Sequence, residues 1–143
     1  DLIHAIDSLK LLKEINKQAL KNNRVIDCLL QIHISTEDSK FGFSYKELDE
    51  YITNQAFNEF HNIKIVGLMG MATNTKDSTQ VRSEFSLLNS FFTSHQKNTS
   101  DIIDLKQLSM GMSSDYKIAL EEGSTLIRIG SAIFGTRTIN TIS

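Results

Sequence analysis

Residues 109–137 read SMGMSSDYKIALEEGSTLIRIGSAIFGTR, and Arg128 stands inside an otherwise apolar run. Arginine keeps its charge at every physiological pH, so a buried arginine has to pair with an acid or contact a ligand. Gly130 and Ser131 follow closely, and a glycine lets a ligand approach the backbone while a hydroxyl can bind it. The stretch therefore indicates a strand that ends at a binding site, with a structural ion pair for Arg128 as the alternative.

Four more apolar segments precede this strand, and amphipathic helical patterns separate them. The five predicted strands are residues 2–6, 24–34, 63–72, 104–111 and 125–130. Because strands that alternate with helices pair in parallel through right-handed crossovers, the chain is predicted to be an α/β protein. No linker or repeat interrupts the pattern, so residues 1–143 are predicted to form one domain.

The helices between these strands are predicted from capping residues and from the spacing of apolar side chains. Asp7 or Ser8 begins the first helix, and Ser44 begins the second. The third helix is the longest and follows the loop TNTKDSTQ, with apolar residues recurring at three- and four-residue spacing from Val81. A short fourth helix covers residues 115–122.

The composition excludes several classes of protein. The 143 residues include 15 basic and 17 acidic side chains, for a net charge of −2, with no basic stripe of the kind that binds nucleic acid. No apolar run approaches the roughly 18 residues of a membrane-spanning helix. The single cysteine, Cys28, lies in an apolar run and is predicted to be a buried thiol. These features predict a cytoplasmic protein with neither nucleic acid nor a membrane as its partner.

Two architectures fit the order of elements: an open, doubly wound sheet, or part of a (β/α)8 barrel. A complete barrel takes about 250 residues, so length alone favours the open sheet. In both architectures ligands bind where the carboxyl ends of the strands meet.

Small polar residues follow the fourth and fifth strands at such ends. Ser113, Ser114 and Asp115 open the short helix, whose first N–H groups would favour an anion. Together with Gly130 and Ser131 they are typical of a phosphate site, and a serine helix cap with a turn glycine is the alternative. The sequence has no zinc-ligand spacing, nucleophile elbow or glycine-rich dinucleotide motif, so no metal site or catalytic residue is predicted.

Residues 109–137 resemble the C-terminal signature of the pyridoxal phosphate homeostasis protein family, whose members are relatives of the N-terminal barrel of alanine racemase. Three upstream blocks resemble the same family in the same order: IHAIDS, LLQIHISTEDSKFGF and GLMGMA. The resemblance reverses the choice of architecture, because it implies the C-terminal part of a single (β/α)8 barrel, with strands four to eight.

A partial barrel has two consequences. Strands one to three would be absent from this chain, and with them the lysine that binds the cofactor as a Schiff base. The sheet would have open edges at residues 2–6 and 125–130, and its apolar inner face would be uncovered.

The resemblance also implies a cofactor and the residues that hold it. Ser113, Gly130 and Ser131 would bind the phosphate of pyridoxal 5′-phosphate, and Arg128 would face its pyridine nitrogen. A guanidinium keeps that nitrogen unprotonated, which makes the ring a poor electron sink and disfavours carbanion chemistry.

The resemblance also implies a function that is not enzymatic, because the members of this family are non-catalytic. The whole protein would be a monomer that binds and buffers the cofactor and delivers it to pyridoxal-phosphate-dependent apoenzymes. Two alternatives stay open: a fragment of an amino-acid racemase, or an unrelated phosphate-binding α/β domain. A racemase needs a second domain that supplies a tyrosine, and the residues after Arg137 are too few to form one.

Overall fold

Strands and helices alternate along the chain, as the sequence predicts. The computed structural model describes residues 2–36, 41–129 and 132–135. The strands are β1 (Leu2–Ile6), β2 (Ile26–Gln31), β3 (Ile63–Gly70), β4 (Ile103–Met110), β5 (Leu126–Ile129) and β6 (Ala132–Gly135). The helices are α1 (Leu9–Lys21), α2 (Tyr45–Thr53), α3 (Ser78–His95) and α4 (Tyr116–Glu121).

The order of the strands decides between the two architectures. β1 to β5 pair in parallel with their sequence neighbours, in the spatial order β1-β2-β3-β4-β5. Right-handed crossovers that always advance in one direction place every helix on the same face of the sheet. A doubly wound sheet has to reverse its strand order at one point. The chain therefore forms a curled, partial (β/α)8-type barrel, as the resemblance implies.

The prediction of an open edge at the fifth strand is wrong. β6 pairs antiparallel with β5, from Leu126 opposite Gly135 to Ile129 opposite Ala132. A sequence signal for this pairing existed, because two apolar runs separated by Gly-Ser are typical of a hairpin. β1 remains the last strand on the other side of the sheet.

Side-chain caps begin three of the four helices. The hydroxyl of Ser8 accepts a hydrogen bond from Leu11 N at 3.1 Å, and that of Ser44 accepts one from Glu47 N at 3.0 Å. The Asp77 carboxylate accepts from Thr79 N and Gln80 N at the start of α3. The two serine caps confirm the predicted helix starts. None of the helices that the structure describes is both long and apolar enough to cross a membrane.

The main hydrophobic core lies between the sheet and the helices. Alternate strand residues, such as Leu30 and Leu68, contribute to one cluster with Leu12, Leu48 and Phe85 from the helices. Cys28 belongs to this cluster and is fully buried, which confirms the predicted thiol. Burial, with a smaller effect from the Asp27 charge, raises the pKa of Cys28 to about 12.

A second buried layer lies on the opposite, inner face of the sheet. The ladder register places Gln31, Met69, Ser109 and Leu126 in one row across four strands. Their relative exposures are 6%, 0%, 3% and 1%. The expectation of an uncovered inner face is therefore wrong for this row, because the curl of the sheet brings the inner side chains of neighbouring strands together.

Candidate functional site

A large cleft opens at the carboxyl ends of β3 and β4. It has a volume of about 750 Å³ and lies between the loop after β3 and the turn after β4. Hydroxyl, amide and charged side chains from Thr73 to Ser78 form one wall, and Ser114 and Asp115 contribute to the other. This edge is the one at which α/β proteins bind their ligands.

The turn after β4 carries Ser113, the predicted phosphate ligand. The Asp115 carboxylate accepts a hydrogen bond from Met112 N at 2.7 Å, and Asp115 N donates to Met112 O at 3.1 Å. These two bonds close the turn and leave Ser113 and Ser114 exposed. Asp115, not Ser113, occupies the N-cap of α4, and its side chain makes no capping bond there.

Gly111 allows this turn to lie close to α4 and β5. Its φ is +103°, a conformation that side-chain-bearing residues rarely adopt. A Cβ at this position would lie 2.7 Å from the Cβ of Ala119 and 3.0 Å from Cγ2 of Ile127. A glycine is therefore required by both the backbone angle and the packing.

The other predicted ligands belong to β5 and the residues after it. The backbone of Arg128 pairs with Ile133, two residues beyond Leu126 along the strand. Its side chain, together with Gly130 and Ser131, lies outside what the structure describes. β5 is the direct neighbour of β4. The sheet thus places the strand that carries Arg128 next to the strand that leads into Ser113.

A buried carboxylate joins two loops at this end of the sheet, and sequence reasoning missed it. Glu84 of α3 is 8% exposed and accepts hydrogen bonds from Thr73 N at 2.7 Å and from Thr73 Oγ1 at 2.6 Å. Gln80 Nε2 donates to Glu84 at 3.1 Å and to Thr36 Oγ1 at 3.1 Å, and Thr36 N donates to Thr73 Oγ1 at 2.9 Å. The sequence contains a signal for this buried carboxylate, since Glu84 falls on the apolar face of α3 between Val81 and Leu88.

Tyr45 lies near this carboxylate. Burial, followed by the negative charge of Glu84, raises the pKa of Tyr45 above the ordinary value of a phenol. Its ring packs against Phe91 with centroids 5.1 Å apart. Its hydroxyl is the one buried side-chain oxygen or nitrogen without a hydrogen-bond partner in the described part of the chain.

A small apolar pocket lies beside the cleft, at the end of β2. Its volume is about 200 Å³, and Phe41, Met71 and Met112 lie on its rim. Their exposures are 62%, 41% and 43%, high values for large apolar side chains. Within residues 2–36, 41–129 and 132–135, no three His, Cys, Asp or Glu side chains gather in a group that could hold a metal ion.

Residues 1–138 match the model of one protein family, described as the alanine racemase N-terminal domain. Among curated proteins, the pyridoxal phosphate homeostasis protein of Aquifex aeolicus is 38% identical over 139 residues, which cover 95% of this chain and 58% of the relative. The chain thus spans little more than half the length of that relative.

The solved structure of PipY from Synechococcus elongatus PCC7942 without PLP has a TM-score of 0.82 and 28% sequence identity, and the match covers 92% of this chain and 60% of PipY. PipY with PLP bound gives a TM-score of 0.76 at 27% identity, over 92% of this chain and 59% of PipY. The family match along nearly the whole chain agrees with the strand order and with the motifs at the strand ends. The chain belongs to the alanine racemase N-terminal domain family and, within it, to the pyridoxal phosphate homeostasis proteins.

Proposed function

We propose that this chain binds pyridoxal 5′-phosphate and contributes to a non-catalytic carrier that buffers this reactive aldehyde. The observation that carries the proposal is the match to PipY, a family member that has been solved with PLP bound. The carrier would act in the cytoplasm, as a monomer, and would pass the cofactor to apoenzymes that depend on it.

In this proposal the phosphate lies between the ends of β4 and β5. Ser113 donates its hydroxyl to a phosphate oxygen, and Gly130 and Ser131 supply backbone N–H groups and a second hydroxyl. The exposed position of Ser113 in a turn closed by Asp115 supports this role, because its hydroxyl is free to meet a ligand. Hydroxyls on two adjacent strand ends suit a phosphate as a donor set.

Arg128 has a role of its own in this proposal, which is to reduce the reactivity of the bound cofactor. When bound, pyridoxal phosphate supplies an electron sink that is strong only while its ring nitrogen is protonated. A guanidinium beside that nitrogen donates a hydrogen bond and adds a fixed positive charge, and both effects oppose protonation. We therefore infer that Arg128 lowers the reactivity of the cofactor, as a protein that stores it requires.

A racemase fragment is the second candidate, and the fold alone supports it. Alanine racemase from Streptomyces lavendulae has a TM-score of 0.67 to this chain at only 13% identity. The family match removes the third alternative, an unrelated phosphate-binding domain. Racemisation of alanine by the whole protein to which this chain belongs, with added cofactor, would favour the racemase.

Calorimetric titration tests the proposal, with pyridoxine 5′-phosphate and pyridoxine as probes that lack the reactive aldehyde. We expect the chain to bind the phosphorylated probe more tightly. Ser113→Ala should lower that affinity about tenfold through the loss of one hydrogen bond to a charged group. Ser90→Ala is the matched control, because Ser90 is also exposed but lies near the carboxyl end of α3 and does not line the cleft. Equal affinity for both probes would overturn the proposal.

A further inference from the structure

Among the residues that the structure describes, β4 shares a shorter ladder with β5 than with β3. In this part of the chain the ladder between β4 and β5 pairs Ser109 with Leu126. The ladder between β3 and β4, by contrast, extends from Ile65 to Gly70 on β3. Additional groups are therefore needed to fix the position of β5 along β4.

Ser124 supplies one such group. Its side chain lies just before β5, and the residue is only 4% exposed. Its Oγ accepts a hydrogen bond from Met110 N at 3.2 Å and lies 2.8 Å from Met110 O, 3.2 Å from Leu108 O and 2.6 Å from Leu126 O. The hydroxyl has one proton, so it donates to one of these carbonyls at a time. It thereby connects the backbones of β4 and β5 on both sides of the Ser109–Leu126 pair.

Thr125 supplies the second group, next along the chain. Its Oγ1 accepts a hydrogen bond from Leu108 N at 2.7 Å, while its own N–H donates to Leu108 O at 2.8 Å. The two hydroxyls thus satisfy the N–H groups of Leu108 and Met110, two alternate residues of β4. In a regular parallel ladder, alternate N–H groups of a strand donate to carbonyls of its neighbour. The Thr125 hydroxyl thus takes the place of a backbone acceptor for Leu108 N, and the Ser124 hydroxyl adds to the ladder at Met110.

We propose that Ser124 and Thr125 are positioning residues for the phosphate site, an inference that rests on the proposed function. β4 leads directly into the turn that carries Ser113, and β5 carries Arg128 towards Gly130 and Ser131. The distance between the two halves of the site therefore depends on how far β5 is shifted along β4. The two hydroxyls set that shift, although neither touches the ligand.

Thr125→Val and Thr125→Ser form a matched pair for the test. Valine keeps the shape of threonine and removes the hydroxyl, whereas serine keeps the hydroxyl and removes a methyl group. We expect Thr125→Val to weaken binding of pyridoxine 5′-phosphate about tenfold and Thr125→Ser to restore most of the affinity. Ser124→Ala should act in the same direction. Amide hydrogen exchange should also quicken at Leu126–Ile129 in the two variants without a hydroxyl.

Ser100→Ala controls for a general loss of stability. The Ser100 hydroxyl accepts from Ile102 N and Ile103 N at the amino end of β4, far from Ser113 along the strand. We expect this variant to unfold earlier in urea but to bind the probe as the wild type does.

The results separate this inference from the proposed function. If the wild-type chain does not prefer the phosphorylated probe, the proposed function fails, whatever the exchange rates are. If the wild type binds, but Thr125→Val and Ser124→Ala bind equally well, the positioning role is wrong. The role is also wrong if Ser100→Ala weakens binding as much as Thr125→Val does, because binding would then follow overall stability.

Discussion

Gly67 shows how the absence of one side chain sets the register of neighbouring strands. It lies in β3 opposite Leu29 of β2 and Gln107 of β4. A Cβ there would lie 2.1 Å from the Gln107 carbonyl oxygen and 2.7 Å from Cδ2 of Leu29. The ladders on both sides of β3 change register next to this residue. The glycine thus allows the neighbouring backbones and the Leu29 side chain to lie close together, because any other residue would place a Cβ in this space.

We expect Gly67→Ala to lower the free energy of unfolding by roughly 3 kcal/mol or more, since a backbone carbonyl has to move. Gly70→Ala is the control, because the atoms that its Cβ would meet are the ends of the flexible Leu88 and Ile34 side chains. It should cost about 1–2 kcal/mol. Urea unfolding followed by circular dichroism measures both. Equal losses would show that the contact with Gln107 does not constrain the sheet.

Cys28 gives a second prediction at the residue scale, on pH dependence. Its pKa rises from 9.0 to about 12 on folding, so above pH 9 the unfolded chain loses the thiol proton while the folded chain keeps it. This difference lowers the free energy of unfolding as the pH rises from 9 towards 12. Between pH 8 and pH 10 the wild type should lose about 1.4 kcal/mol more than Cys28→Ala. Parallel slopes for the two proteins would contradict the shift.

At the scale of elements, helix α3 packs on the sheet and also forms polar contacts with neighbouring segments. Its buried Glu84 binds the loop after β3 directly, through the backbone and hydroxyl of Thr73. The same network reaches Thr36, in the loop after β2, through Gln80. Arg82 of the same helix also forms ion pairs with Glu121, the last residue of α4, and with Glu122, its C-cap, at 2.6 and 2.7 Å. One helix therefore connects three segments at the mouth of the partial barrel.

We expect Glu84→Gln to lower the free energy of unfolding by about 1.5–3 kcal/mol, because a neutral amide offers one acceptor oxygen in place of two charged ones. Exchange of the Thr36 and Thr73 amides should quicken as well. Glu14→Gln is the matched control, since Glu14 accepts only an exposed hydrogen bond from Gln18. If the two variants unfold at the same urea concentration, the network does not stabilise the loops.

At the scale of the whole molecule, β1 is the last strand of the sheet on its side. An unpaired edge exposes N–H and C=O groups that can pair with another chain. We expect the isolated chain to associate as its concentration rises in sedimentation velocity, and the amides of Leu2–Ile6 to exchange faster than those of β3. Leu2→Lys, which places a charge on the edge, should reduce the association. A monodisperse monomer with strongly protected β1 amides would show that this edge is covered.

The sequence alone determined the order of the elements, the serine caps, the buried cysteine and the family, because each depends on residues close together in the chain or on a motif. The tertiary structure decided which polar groups meet. Thr36 N donates a hydrogen bond to Thr73, which is 37 residues away in the sequence, and Gln80 donates one to Thr36, which is 44 residues away. These contacts follow from strand order and register. The same holds for the buried inner row and for the hydroxyls that join β5 to β4. Local patterns do not encode such contacts, since their geometry exists only after the crossovers have brought distant segments together.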